Sequence, residues 1–78
     1  MKPEKSLDRV IPLAPVNRLI RKAGPVNRVS NSAANELGMI LEELGKEISQ
    51  RAIDLAKHAN RMTVMDSDIR LAYKQWLK

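Results

Sequence analysis

Cysteine is absent from this 78-residue chain, and Tyr73 and Trp76 are its only aromatic side chains. Without cysteine there is no disulfide staple and no thiolate metal site, which fits a reducing, intracellular setting. No apolar run has the length of a signal peptide, and none approaches the roughly 18 to 20 residues of a membrane span. A basic amphipathic membrane binder is also disfavoured, because the cations lie mainly outside the longest amphipathic segment and aromatic anchors are so few. Paired nucleophile and base, phosphate-cradling glycine loop and metal-ligand spacing are all missing, so the chain reads as neither an enzyme nor a holder of metal or cofactor. His58 is a lone histidine, and no second histidine accompanies it.

What is present is positive charge. Fourteen Lys and Arg stand against nine Asp and Glu, a net charge of +5 with an isoelectric point near 10. The balance is uneven: residues 1–28 carry seven basic and two acidic side chains, residues 29–60 three and five, residues 61–78 four and two. Cations at both ends suit a polyanion, and the slightly acidic middle suits self-association.

Residues 1–12 mix Lys2, Glu4, Lys5, Asp8 and Arg9 with Pro3 and Pro12, offer little to bury, and read as a flexible N-terminal arm ahead of a domain over 13–78. Pro15 suits a first helical position; Val16, Leu19, Ile20 and Ala23 then fall at offsets of 3, 4 and 7, and Gly24 supplies a stop. After a loop from Pro25 to Val29, Ser30 is a natural N-cap. Ala33, Leu37, Leu41, Leu44, Ile48, Ala52, Leu55 and Ala59 then recur at steps of 4 and 3, with Glu42, Glu43, Lys46, Glu47, Gln50, Arg51 and Asp54 on the other side. This spacing predicts one amphipathic helix over Asn31–Ala59, about 43 Å long at about 1.5 Å per residue. Asn60 is suited to a left-handed terminus. Thr63 and Val64 favour a brief extended stretch. Asp66 or Ser67 would cap a third helix carrying Ile69, Ala72, Tyr73 and Trp76.

Two short helices cannot cover so long an apolar stripe, so the central helix must meet another chain. A twofold dimer with crossed long helices is the simplest symmetric solution, and Gly45 would permit close backbone approach there. Gly38, which costs a helix about 1 kcal/mol relative to Ala, also suggests close packing.

The ordered blocks Leu13-Ala-Pro-Val-Asn-Arg-Leu-Ile-Arg-Lys-Ala-Gly24, Arg28-Val-Ser30, Ile40-Leu-Glu-Glu-Leu-Gly45, Ala56-Lys-His-Ala-Asn-Arg-Met-Thr63 and Asp68-Ile-Arg-Leu-Ala72 resemble the archaeal histones from residue 13 onward. The resemblance implies an all-α histone fold of short, long and short helices forming an interlocked homodimer. It also implies sequence-tolerant binding, wrapping and compaction of double-stranded DNA into nucleosome-like chromatin, in the cytoplasm on the nucleoid. In such a dimer each first loop pairs with the partner's second loop to contact DNA, and the paired first helices form a third contact.

On this resemblance Arg18 enters the minor groove, where the narrow groove's negative potential favours a guanidinium. Arg21 and Lys22, one turn on, approach phosphates; Arg28 and Thr63 match the loop residues that meet the backbone. Arg61 is grouped with these contacts but corresponds mainly to a structural partner of Asp68. Leu55, His58, Asp68 and Leu71 match the contact between neighbouring dimers, with His58 bonding Asp68 of the next dimer, so that higher oligomers form; a related histone is an alternative partner for a heterodimer. Met62 and Met65 depart from basic family positions, Asn17 from a glycine, and the first loop is one residue longer through Pro25, Val26 and Asn27. The two methionines also favour a second function, a histone-fold interaction subunit of a transcription-related complex that wraps DNA weakly or not at all.

Overall fold

The computed structural model describes residues 10–78; residues 1–9, which include most of the expected N-terminal arm, lie outside the described part. Three helices and no strand are found there: α1 (Leu13–Ala23), α2 (Asn31–His58) and α3 (Asp66–Leu77), the all-α, short-long-short pattern expected. The chain divides into two compact units, Met1–Glu43 and Leu44–Lys78, and α2 contributes residues to both.

In the first unit α1 begins two residues earlier than expected, so Pro15 is its third residue rather than its first. The difference is tolerated because the first four amides of a helix have no partner within it, and a missing N–H at the third position leaves nothing unmade. Gly24 ends α1 in an extended conformation, φ 176°, not a left-handed one. Ser30 caps α2 as anticipated: the Ala33 amide donates to Ser30 Oγ at 3.0 Å and the Ala34 amide to the Ser30 carbonyl at 3.1 Å. Val16, Ala34 and Gly38 are the buried positions of this unit.

In the second unit α2 stops at His58, one residue short of expectation, in a Schellman turn. Asn60 takes the left-handed conformation, φ 59°. Its amide reaches the Lys57 carbonyl at 2.9 Å, and the Arg61 amide reaches back to the Ala56 carbonyl at 2.9 Å, satisfying carbonyls the helix would otherwise orphan. Thr63 and Val64 form no strand, since a two-residue extended stretch needs a ladder partner and none is supplied by the described residues. Neither Asp66 nor Ser67 caps α3. The helix starts at Asp66 with Met65 as its extended N-cap, because the Met65 amide donates to the Asp68 carboxylate at 2.8 Å and Asp68 thereby holds the third helical position.

The buried line on α2 also differs from the expected stripe. Ala34, Gly38, Ala52 and Ala56 are buried, whereas Leu37, Leu41, Leu44, Ile48 and Leu55 are half-buried and Ala33 and Ala59 exposed. Small residues face the inside of each unit, and the larger apolar side chains are left partly in water. Among the described residues Val16 is the largest side chain to be fully buried, while Leu19, Ile40 and Leu71 each retain close to half of their surface. Hydrophobic stabilisation scales with apolar area removed from water, and a chain of this size with an alanine-lined interior has little of it. Folding is therefore expected to be coupled to association. The thermal midpoint should rise by about 3–5 °C for each tenfold increase in protein concentration, as mass action on a dimer of this size requires. Calorimetry across a hundredfold range checks this, and a midpoint independent of concentration would contradict it.

Candidate nucleic-acid interface

The first unit carries the basic face of α1. Arg18 and Lys22 are four residues apart, both exposed, and share one side of the helix. Arg21 is exposed too, and its Nε donates to Asn17 Oδ1 at 2.9 Å, a bond within α1. Asn17 thus steadies a neighbouring cation. Only Nε is used, so the terminal guanidinium nitrogens remain donors for other acceptors. Arg28 is exposed in the loop that follows. The α1 helix ends with Arg21 and Lys22 in its last turn and has no acidic residue in its first, so it offers its cations without local neutralisation.

One acidic group does approach the beginning of α1, from the other helix of the unit. Glu42 Oε2 accepts from the amides of Val10 and Ile11, each at 2.7 Å, so the last residues assigned to the arm are tied to α2.

The second unit brings together Arg61, Thr63, Met65 and Asp68. Arg61 forms a two-pronged bond with Asp68, Nη1 to Oδ2 at 2.8 Å and Nη2 to Oδ1 at 2.9 Å, and Nη1 also donates to the Thr63 carbonyl at 3.1 Å. Asp68 is buried, 5 % exposed. The hydrogen bond from Arg61, then that from the Met65 amide, hold its carboxyl down at about 2, well below the ordinary carboxylate range. Hydrogen bonding to Asp68 in turn raises Arg61. The effect is to fix the course of the second loop: Arg61 opens it, Thr63 sits in its middle, and the start of α3 closes it. The Thr63 side chain itself is exposed, and Met62 beside it is wholly so.

The residues expected between dimers lie in the same unit, Leu55 and His58 on α2 and Asp68 and Leu71 on α3. Leu55 is half-buried, Leu71 and His58 are exposed, and Asp68 is committed to Arg61 and Met65. His58 Nδ1 lies 2.9 Å from the Asp54 carbonyl of its own helix. A carbonyl only accepts, so Nδ1 carries the proton and Nε2 is the ring atom left for an outside group.

Sequence reasoning missed three of these features. The Asn17–Arg21 bond and the exposed Asp66–Arg70 pair at 3.3 Å carried a readable signal, their four-residue spacing on a helix. The Glu42 contact joins residues 31 and 32 positions apart and had none.

With this arrangement established, comparison with known proteins places the chain. Residues 9–73 match the family described as histone-like transcription factor (CBF/NF-Y) and archaeal histone. The HAN1 archaeal histone of Thermococcus zilligii, named as one subunit of its assembly, is 50% identical over 64 residues, covering 82% of this chain and 94% of that protein. Probable archaeal histone 3 of Methanocaldococcus jannaschii is 42% identical over the same length, with the same coverage. The chain belongs to this histone-fold family.

The Arg61–Asp68 pair makes a pH signature. Asp68 is held at about 2 in the folded chain, and an unfolded aspartate titrates near 3.9. The stability this contributes is fully present above roughly pH 5 and is lost as the pH falls through about 4 towards 2. In acid titrations of unfolding, Asp68→Asn should lower stability at neutral pH and flatten the profile in that window. An unchanged profile would show that the pair does not hold the folded state.

Proposed function

We propose that this protein binds and compacts double-stranded DNA as a dimer of histone folds, without reading base sequence. The observation that carries this reading is the exposed, locally unneutralised set Arg18, Arg21 and Lys22 on α1, in a chain that belongs to the family containing the archaeal histones. Family membership supports the dimer, and so does the half-covered apolar surface of each unit.

The mechanism is electrostatic. Arg18 inserts into the minor groove where it narrows, and Arg21 and Lys22 neutralise adjoining phosphates, releasing counterions. Arg28 and Thr63 add loop contacts to the backbone. Arg61 contributes by bracing the second loop through Asp68 and the Thr63 carbonyl rather than by spending its charge on phosphate. Because these contacts address backbone charge and groove shape, the preference among sequences follows DNA deformability. Dimers then join through Leu55, His58, Asp68 and Leu71. In that contact Nε2 of His58 is the ring atom left to meet Asp68 of the neighbouring dimer, and Oδ1 of Asp68 accepts one bond within its own chain and keeps a second lone pair.

A second reading has a specific observation in its favour. Met62 is wholly exposed and Met65 about half exposed in the second loop, where a phosphate-binding loop would carry cations. Adaptable apolar side chains of this kind suit a protein partner. That the similar Thermococcus zilligii protein is named as one subunit favours a related histone as that partner. On this reading the chain works as one half of a heterodimer and holds DNA less tightly.

The two readings part on one substitution. Arg18→Ala should weaken binding to long duplex DNA about tenfold, equivalent to roughly 1.4 kcal/mol, and leave the dimer intact. Titrations at several salt concentrations, with sedimentation as the control for assembly, check this. Unchanged affinity in the variant would remove α1 from the DNA contact and favour the interaction subunit.

A further inference from the structure

The contact between Glu42 and the segment ahead of α1 is used by none of the roles above. Successive amides at Val10 and Ile11 converge on one carboxylate oxygen, both at 2.7 Å. Two adjacent N–H groups on a single anion form a small nest, and charge-assisted bonds of this length are among the stronger ones. Pro12 follows and has no N–H, so Val10 and Ile11 supply the last amides before the helix begins. The N-terminus of α1 has no side-chain cap and no acidic residue in its first turn. Glu42 bonds instead the two residues that lead into Pro12 and α1, so it is the approach to the helix, not its first turn, that α2 holds.

We propose that Glu42 is a positioning residue for DNA binding: by holding Val10 and Ile11 it fixes the start of α1 against the first half of α2, and so sets where Arg18 is presented. The proposal rests on the DNA-binding reading of Arg18. Physical chemistry makes its consequence distinctive. Glu42 is an acid in a protein that must bind a polyanion, and on charge alone its neutralisation would strengthen DNA binding. A positioning role predicts the opposite sign, because an α1 no longer held at its beginning presents Arg18 less well.

A double-substitution cycle on the full-length protein tests this, with duplex DNA of mixed sequence as the probe and helix content and dimer mass measured for every variant. Glu42→Gln, which keeps the shape and removes the charge, should weaken DNA binding roughly three- to tenfold in the native background and clearly less in the Arg18→Ala background, where only Arg21 and Lys22 remain on α1 to be misplaced. Glu42→Ala should reproduce this pattern. Tighter or unchanged binding in Glu42→Gln, when Arg18→Ala alone weakens binding, would overturn the positioning role and leave the DNA reading standing. An equal loss in both backgrounds would also overturn it, by showing that Glu42 acts independently of Arg18. No effect of Arg18→Ala by itself would instead remove the reading beneath the proposal, and the proposal with it. Should the Glu42 variants fail to assemble, amide exchange in the native protein still decides: the Val10 and Ile11 amides should be protected, and exchange at the rate of free peptide would refute the contact.

Discussion

A shortage of bulk inside each unit governs this structure. Among the described residues, Val16, Ala34, Ala52, Ala56 and Ala72 are the buried apolar side chains, and none is larger than a valine. Alanines lose little side-chain entropy on burial and let helices approach closely, but each removes little apolar area from water. The larger side chains that could supply that area, among them Leu19, Ile40 and Leu71, remain about half exposed. The helices are thus arranged so that their inner surfaces are small and their outer apolar surfaces wait for a second chain. On the proposed dimer reading association is part of folding, and each chain brings its own basic surface to the pair.

Polar groups do the local fixing that a small interior cannot. Asp68 caps α3 through the Met65 amide and meets Arg61 with both oxygens, so one buried carboxylate serves a helix terminus and a loop together. A buried carboxylate is tolerated where most of its lone pairs are met, and here three hydrogen bonds meet all but one of them. Ahead of α1 a carboxylate fixes the amides of the preceding segment: Glu42 holds Ile11 and Val10, thirty-one and thirty-two residues away in the chain. The cations on α1 and Arg28 in the first loop stay in solvent, where they can meet an external anion.

Much of this is legible in the amino acids, and the parts that are not share a cause. Ser30 and Asn60 announce the two ends of α2 because capping depends on a side chain's own chemistry within a few residues. The three helices and the family resemblance follow from spacing and ordered blocks, and family membership agrees with them. Pro15 misleads by two residues because a proline is harmless anywhere in a helix's first turn. Asp66 and Ser67 look like caps for the third helix, yet Asp68, whose pairing with Arg61 the family resemblance already implies, also takes the Met65 amide and leaves neither of them that role. The buried line on α2 is displaced from the leucine stripe because periodicity marks which residues are apolar, not which of two apolar faces a short helix covers first. The Glu42 contact leaves no local trace at all.

What unites these features is a small fold that completes its interior by pairing and turns its cations to DNA. Nuclease digestion of long duplex DNA saturated with the purified protein tests that account most directly, across several protein ratios and salt concentrations. The account predicts protected fragments whose lengths rise in regular increments, each the contribution of one more dimer, and whose protection fades as salt rises. Digestion to completion at low salt, with no protected length, would contradict it.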